Sequence, residues 1–174
     1  MFHAMTVSDE LLKKQFLDML EQHSNIIIKV SRAYTVVAQD REDLMNDIAL
    51  ELWKSFRSFR GESKVSTWMY RVSLNTAMNF SRKNKRGRTL FFENGIPPET
   101  YVWMTDHSDE SQTDLLYKCI DELSALNKAI VLLYLDKHNH EEISAITGIS
   151  KTNVGTRMLR IKEELKSIAN NYKD

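Results

Sequence analysis

A chain of 174 residues whose 24 Lys and Arg balance 24 Asp and Glu, for a net charge of zero, has room for one ordinary domain or two small ones. Its one cysteine, Cys119, excludes an internal disulfide framework and fits a reducing, cytoplasmic setting. The most apolar segment, Ala129 to Leu135, is too short to span a membrane and the N-terminus carries no signal-peptide core, so direct membrane insertion is not expected.

Only two prolines, adjacent at Pro97 and Pro98, and five glycines punctuate the chain, which favours an all-α fold. Ser8 with Asp9 and Glu10 marks a helix start, and Leu11, Leu12, Gln15, Phe16, Met19 and Leu20 supply its stripe. A second helix is predicted over residues 25–37. Asp40 is placed to cap a third, running to about Phe59, with Asp43 at the capping-box offset. In it Leu44, Ile48 and Leu52 recur every four residues beside an acidic ridge of Asp43, Asp47 and Glu51. Such a ridge either docks a basic helical partner through apolar contact and charge, or simply faces water.

Charge then turns sharply basic: seven Lys or Arg stand between Lys64 and Arg88, with no acid before Glu93. A local excess of this kind implies a polyanionic partner. At 100° per residue, Arg71, Asn75, Asn79, Arg82 and Arg86 share one helical face, and Met69, Val72, Ser73, Thr76, Ala77 and Phe80 the other. Trp68 projects with the basic and amide residues, either as a stacking platform for a base or as an ordinary core tryptophan. The face as a whole is either a solvated stripe or a nucleic-acid surface. The mixture of Asn with Arg, the Trp and the preceding loop Phe59-Arg60-Gly61-Glu62-Ser63 favour single-stranded nucleic acid.

From Gly87 to Gln112 helical periodicity lapses, acids accumulate and the two prolines intervene. This reads as a flexible acidic linker, residues 87–112, between one helical unit at 8–86 and another at 113–170, although Leu90, Phe91, Phe92, Tyr101, Val102, Trp103 and Met104 give it docking side chains. Beyond it Leu115, Leu116, Cys119, Ile120 and Leu123 form one amphipathic helix, and Ser124 caps another through Leu135. Asn139 with Glu142 starts the next, Ile143 and Ile146 face inward, Gly148 turns the chain, Ile149 plugs the turn and Ser150 caps a last helix. Its stripe of Val154, Met158, Ile161 and Leu165 completes a helix-turn-helix. The outward positions Lys151, Thr152, Asn153, Thr156, Arg157 and Arg160 are those that enter a major groove, unless the pair is a helical hairpin with a solvated face. Gly155 costs about 1 kcal/mol relative to Ala in a helix interior, and close approach of backbone to DNA is one reason to tolerate it.

Enzyme signals are poor. There is no phosphate loop and no Gly-x-Ser-x-Gly, and Ser144 stands where His-Glu-x-x-His needs its second histidine. His138 and His140 are too few for a metal site. No catalytic residue, metal ligand or cofactor is assigned.

The motifs AQDREDLMNDIALELWKSF (38–56), SFRGESKVSTWMYRVSLNTAMNFSRKNKR (58–86) and CIDELSALNKAIVLLYLDKHNHEEISAITGISKTNVGTRMLRIKEEL (119–165) together resemble the extracytoplasmic-function (group 4) sigma factors of the sigma-70 family. The resemblance implies two small helical domains, sigma regions 2 and 4, and a promoter-specificity subunit that binds core RNA polymerase, recognises the -10 and -35 elements and melts DNA. It implies that Asp40, Asp43, Leu44, Asp47, Ile48, Glu51 and Leu52 grip the β′ clamp helices, and that region 4 meets the β flap. It implies that the loop with Phe59, Arg60, Ser63 and Lys64 captures a flipped base. Trp68, Arg71, Asn75, Asn79, Arg82, Lys83 and Arg86 would hold the -10 region, and Lys151, Thr152, Asn153, Thr156, Arg157 and Arg160 would read the -35 element. The acidic linker would thread the RNA exit path, and control would come from an anti-sigma factor. Two positions depart from the usual pattern: His140-Glu141-Glu142-Ile143-Ser144 stands where Tyr-Glu-Glu-Ile-Ala is common, and Gly155 where Lys or another polar residue is common. The alternative is a stand-alone helix-turn-helix regulator of duplex DNA.

Overall fold

The computed structural model describes residues 7–84 and 110–172, and among these it holds seven helices and no strand. The first unit comprises α1 (Val7–Tyr34), α2 (Ala38–Phe56) and α3 (Val65–Asn84); the second comprises α4 (Glu110–Asp121), α5 (Ala125–Leu135), α6 (His140–Thr147) and α7 (Lys151–Asn171).

α1 is one continuous helix where two were expected. His23, Ser24 and Asn25 are weak helix formers and look like a break, but Met19 and Leu20 before them and Ile26, Ile27 and Val30 after them are all buried. Burial against neighbouring helices outweighs the local propensity, since most helical stability in proteins comes from packing. The capping assignment at α2 also differs: Val37, in extended conformation, is the N-cap, and no side chain caps the helix. Asp40 lies in the first turn, where its carboxylate meets the positive end of the helix. The helix stops at Phe56, short of Phe59. A turn then closes as the Ser58 and Phe59 N–H groups donate to the Ser55 and Phe56 carbonyls at 3.1 Å each.

Phe16, Leu20, Ile27, Leu44, Ile48, Leu52, Met69 and Leu74 are almost completely buried where α1, α2 and α3 meet. Each such side chain contributes about 2 kcal/mol by burial. In the second unit local chemistry is more nearly decisive. Ser124 accepts from the Asn127 N–H and Ser150 from the Asn153 N–H, so both predicted caps are present. Asn139 and Glu142 form a reciprocal capping box: the Asn139 side chain accepts from the Glu142 N–H at 3.0 Å and the Glu142 carboxylate from the Asn139 N–H at 3.0 Å. That backbone bond is the main reason the Glu142 carboxyl lies below its ordinary range. Gly148 ends α6 at φ 77, in the left-handed region that glycine enters freely. α4 begins at Glu110, so 110–112 of the expected linker are helical; residues 87–109 lie outside the described residues.

The two units pack against each other. α1 meets α4 and α5, α3 meets α5 and α6, and one buried cluster runs from Phe16 in the first unit to Ile168 in the second. Several polar groups at this junction are paired, which offsets the cost of burying them. The Tyr34 hydroxyl donates to the Ala125 carbonyl at 2.5 Å, and burial drives its pKa far above the ordinary tyrosine value. Arg32, 8% exposed, bonds Asp114 at 3.1 Å and lies over the Tyr117 ring, 4.5 Å from its centre. Lys128, equally buried, bonds Asp121 at 2.6 Å and approaches the Tyr34 ring from the other side of the junction. Among the described residues no helix is long and apolar enough to cross a membrane.

Candidate nucleic-acid interface

α3 is buried on a broad face. Met69, Tyr70, Ser73, Leu74, Ala77 and Phe80 are all covered, and the small Ser73 and Ala77 keep the helix close to its neighbours. What remains outward is Arg71, Asn75, Asn79 and Arg82, each exposed, as the helical spacing predicts. Arg82 donates to the Asn79 side-chain oxygen one turn back. Arg71 reaches further: its guanidinium donates to the Ala145 carbonyl of α6 at 3.0 Å, so the basic face of the first unit touches the first helix of the helix-turn-helix. Lys64 approaches Glu142 of the same helix at 3.8 Å. Lys83 falls within α3, and Arg86 lies outside the described residues.

Trp68 does not stand open among the arginines. It is half-buried, stacks on the Phe59 ring with centres 4.8 Å apart and planes 29° from parallel, and meets Phe56 at 6.3 Å. Trp68 thus sits at the edge of the core, packed on one side and partly accessible on the other. Phe59 is half-buried by the same stack, while Arg60 and Lys64 are exposed and Ser63 is half-buried. Gly61, at φ 71, makes the bend between them.

On α2 the acidic side chains divide from the apolar ones more sharply than expected. Leu44, Ile48 and Leu52 have no exposed surface. They were expected to supply the apolar half of a docking ridge, and instead they fill the chain's own core, because the period that aligns them also turns them toward α1 and α3. Asp40, Asp43 and Asp47 are half-buried and Glu51 is exposed, which leaves an acidic strip as the accessible part of that ridge.

In the helix-turn-helix, Val154, Met158 and Ile161 are buried, Leu165 is partly so, and Ile149 packs against the same core. The Ser144 hydroxyl donates to the Ile149 carbonyl at 2.6 Å and fastens the turn. Lys151, Thr152, Asn153, Thr156 and Arg160 are exposed and Arg157 is half-buried. They do not form one uncommitted row. Arg157 donates through Nε to the Asn153 side chain at 3.2 Å and through a terminal nitrogen to Asn127 of α5 at 3.3 Å, and Lys151 pairs with Glu141 at 3.6 Å. Sequence reasoning missed one neighbour of this surface, His140, whose ring lies against Gly155. The pairing of an unusual glycine with an unusual histidine was the available signal.

Among the described residues no group of three or more His, Cys, Asp or Glu side chains is placed to hold a metal ion. Cys119 is buried, and burial raises its thiol pKa.

Comparison with known proteins places both units. Residues 19–87 match the family model described as Sigma-70 region 2, and residues 113–165 match that described as Sigma-70, region 4. The chain is similar to RNA polymerase sigma factor SigV of Bacillus subtilis, with 24% identity over 81% of this chain and 82% of the relative. It is similar to the ECF RNA polymerase sigma-E factor of Escherichia coli, with 27% identity over 75% and 74%. Among solved structures, CnrH in complex with the cytosolic domain of CnrY superposes with a TM-score of 0.62 at 16% identity, over 91% of this chain and 90% of that one. The sigma factor RpoE from Bartonella quintana, in complex with the anti-sigma factor NepR, gives 0.61 at 21%, over 91% and 96%. At these identities the two structures speak to the fold.

Proposed function

The chain belongs to the sigma-70 family, in its extracytoplasmic-function branch, and on that premise we propose that it directs core RNA polymerase to promoters by reading a -10 element with its first unit and a -35 element with its second. The observation that supports this most is the coexistence, in one chain, of an exposed Asn and Arg face on α3 and a capped helix-turn-helix. A duplex-DNA repressor needs only the second.

The role of each surface follows from its chemistry. Asp40, Asp43, Asp47 and Glu51 offer negative charge to a basic partner, here the clamp helices of the polymerase β′ subunit. Asn75, Asn79 and Arg82 hold the opened strand, the amides offering both donors and acceptors to bases while the guanidinium meets phosphate. The loop of Phe59, Arg60, Ser63 and Lys64 takes a base removed from the stack, an event whose cost of a few kcal/mol must be returned by contacts in the pocket. The Phe59 and Trp68 stack fixes one wall of that loop. Lys151, Thr152, Thr156 and Arg160 face the -35 duplex, where helix-turn-helix proteins place the start of their second helix. The β flap is the partner of the second unit on polymerase, and an anti-sigma factor is the partner that restrains the chain.

The two promoter elements lie about 25 base pairs apart, on the order of 80 Å of duplex at roughly 3.4 Å per pair. Arg71 and Ala145 are in hydrogen-bond contact. Occupying both elements therefore requires the units to part, with polymerase supplying the binding energy. Run-off transcription from genomic DNA with purified chain and core polymerase tests the proposal. Initiation at discrete start sites with shared upstream sequence is expected, and no initiation at any site would refute it.

A further inference from the structure

The helix assigned to major-groove contact has a gap at the edge of its exposed face, on the side turned toward α6. Position 155 lies one turn beyond Lys151 and Thr152 and one turn before Leu159, all exposed, yet it carries only hydrogen. Nothing in the backbone demands glycine there. A Cβ on Gly155 meets no backbone atom and comes to rest 3.6 Å from Nδ1 and 3.7 Å from Cε1 of His140, which is ordinary van der Waals contact. A longer side chain would contest the space the imidazole occupies. The missing side chain of α7 and the ring at the start of α6 therefore form a complementary pair, one vacating what the other fills.

The neighbours of His140 are spent on the fold. Asn139 and Glu142 are tied in the capping box, and Glu141 donates its N–H to Asn139 and pairs through its carboxylate with Lys151. On α7, Asn153 and Arg157 bond each other, and the Thr156 hydroxyl donates to the Thr152 carbonyl. The His140 ring is different. It is half-buried, and among the described residues no hydrogen bond or ion pair engages it. The edge formed by Nδ1 and Cε1 faces Gly155 and leaves Nε2 outside that contact. Nε2 lies beyond that contact, on a half-buried ring that takes no part in the hydrogen bonds holding the two helices.

We infer that His140 supplies, from α6, the hydrogen bond to promoter DNA that Gly155 of α7 cannot make, so that the upstream element is read by side chains of both helices of the motif. The inference rests on the promoter reading given above. The acceptor is either a base edge, such as a purine N7, or a phosphate oxygen, and the two differ in their signature.

The test uses the full chain in holoenzyme on a promoter fragment mapped by run-off transcription, together with variants of that fragment carrying each base pair of the upstream element in turn. His140→Ala is expected to weaken open-complex formation about tenfold. Loss of preference at one base pair assigns the contact to a base; a uniform loss with a shallower salt dependence assigns it to phosphate. Gly155→Val, which crowds out the imidazole, is expected to reproduce the defect, and the double variant to be no worse than either single one. Melting curves and polymerase affinity should stay at wild-type values. If wild type depends on the upstream element and His140→Ala behaves identically, the contact is refuted alone. If wild type shows no such dependence, the promoter reading and the contact fall together.

Discussion

Asp136, the residue that ends α5, accepts the Tyr70 hydroxyl of α3 on one carboxylate oxygen and the Lys29 ammonium of α1 on the other. One side chain thus ties together three helices drawn from both units. Burial pushes this carboxyl up, and the Lys29 and Tyr70 bonds more than reverse it, so it sits below the ordinary aspartate value of 3.8. A group whose pKa is depressed by folding stabilises the fold above its unfolded pKa and loses that contribution as pH falls through the folded value. Asp136→Asn, which keeps an acceptor but no charge, is expected to cost about 1–2 kcal/mol at neutral pH. The difference from wild type should shrink below pH 3.8, and a gap that persists there unchanged would contradict the assignment.

Separation of the units on polymerase is directly measurable. Gln22 on α1 and Glu163 on α7 are exposed and outside every surface assigned to a partner, whereas Cys119 is 4% exposed and protected from labelling. Fluorophores on cysteines at these two positions should show high transfer in the free chain and a clear loss on adding core polymerase. Constant transfer would mean that the contact of Arg71 with Ala145 survives in the holoenzyme.

The acidic strip and the amide face should fail in different assays. Asp47→Arg places like charge against a basic partner and is expected to weaken polymerase association tenfold or more while the chain stays folded. Asn79→Ala removes an exposed amide and is expected to slow open-complex formation by roughly tenfold with polymerase affinity unchanged. Exchange of these two phenotypes would reverse the assignment of the faces.

Lys137, in the connection that follows Asp136, has a φ of 64, and no other non-glycine among the described residues has a positive φ. Left-handed backbone costs a side-chain-bearing residue about 1 kcal/mol. Lys137→Gly should therefore raise the melting temperature by a few degrees, about 2–4 °C for each kcal/mol recovered in a chain of this size. A drop would show that the Lys137 side chain or the entropy of the glycine outweighs the strain.

The sequence was most legible where structure is local. The caps at Ser124, Asn139 and Ser150 and the turn at Gly148 depend on residues within five positions of one another, and all are present. The outward row of Arg71, Asn75, Asn79 and Arg82 was legible for the same reason, since helical period alone determines which residues share a face. Period does not say what covers a face. Trp68 was ambiguous because its cover, Phe59, comes from a loop whose course no periodicity describes. Leu44, Ile48 and Leu52 were misassigned to a partner because an apolar ridge looks the same whether it meets another protein or its own core. The bond from Arg71 to Ala145 joins residues 74 positions apart and leaves no trace in local pattern, while the contact of His140 with Gly155 crosses between helices and showed only as two unusual residues in one motif.

The shared interior that links Phe16 to Ile168 has a thermodynamic corollary. Two halves without a common core would melt at their own temperatures, whereas halves that bury side chains in each other lose that burial together. Heating the isolated chain should give one calorimetric peak, and the heat absorbed should equal that inferred from the steepness of the transition.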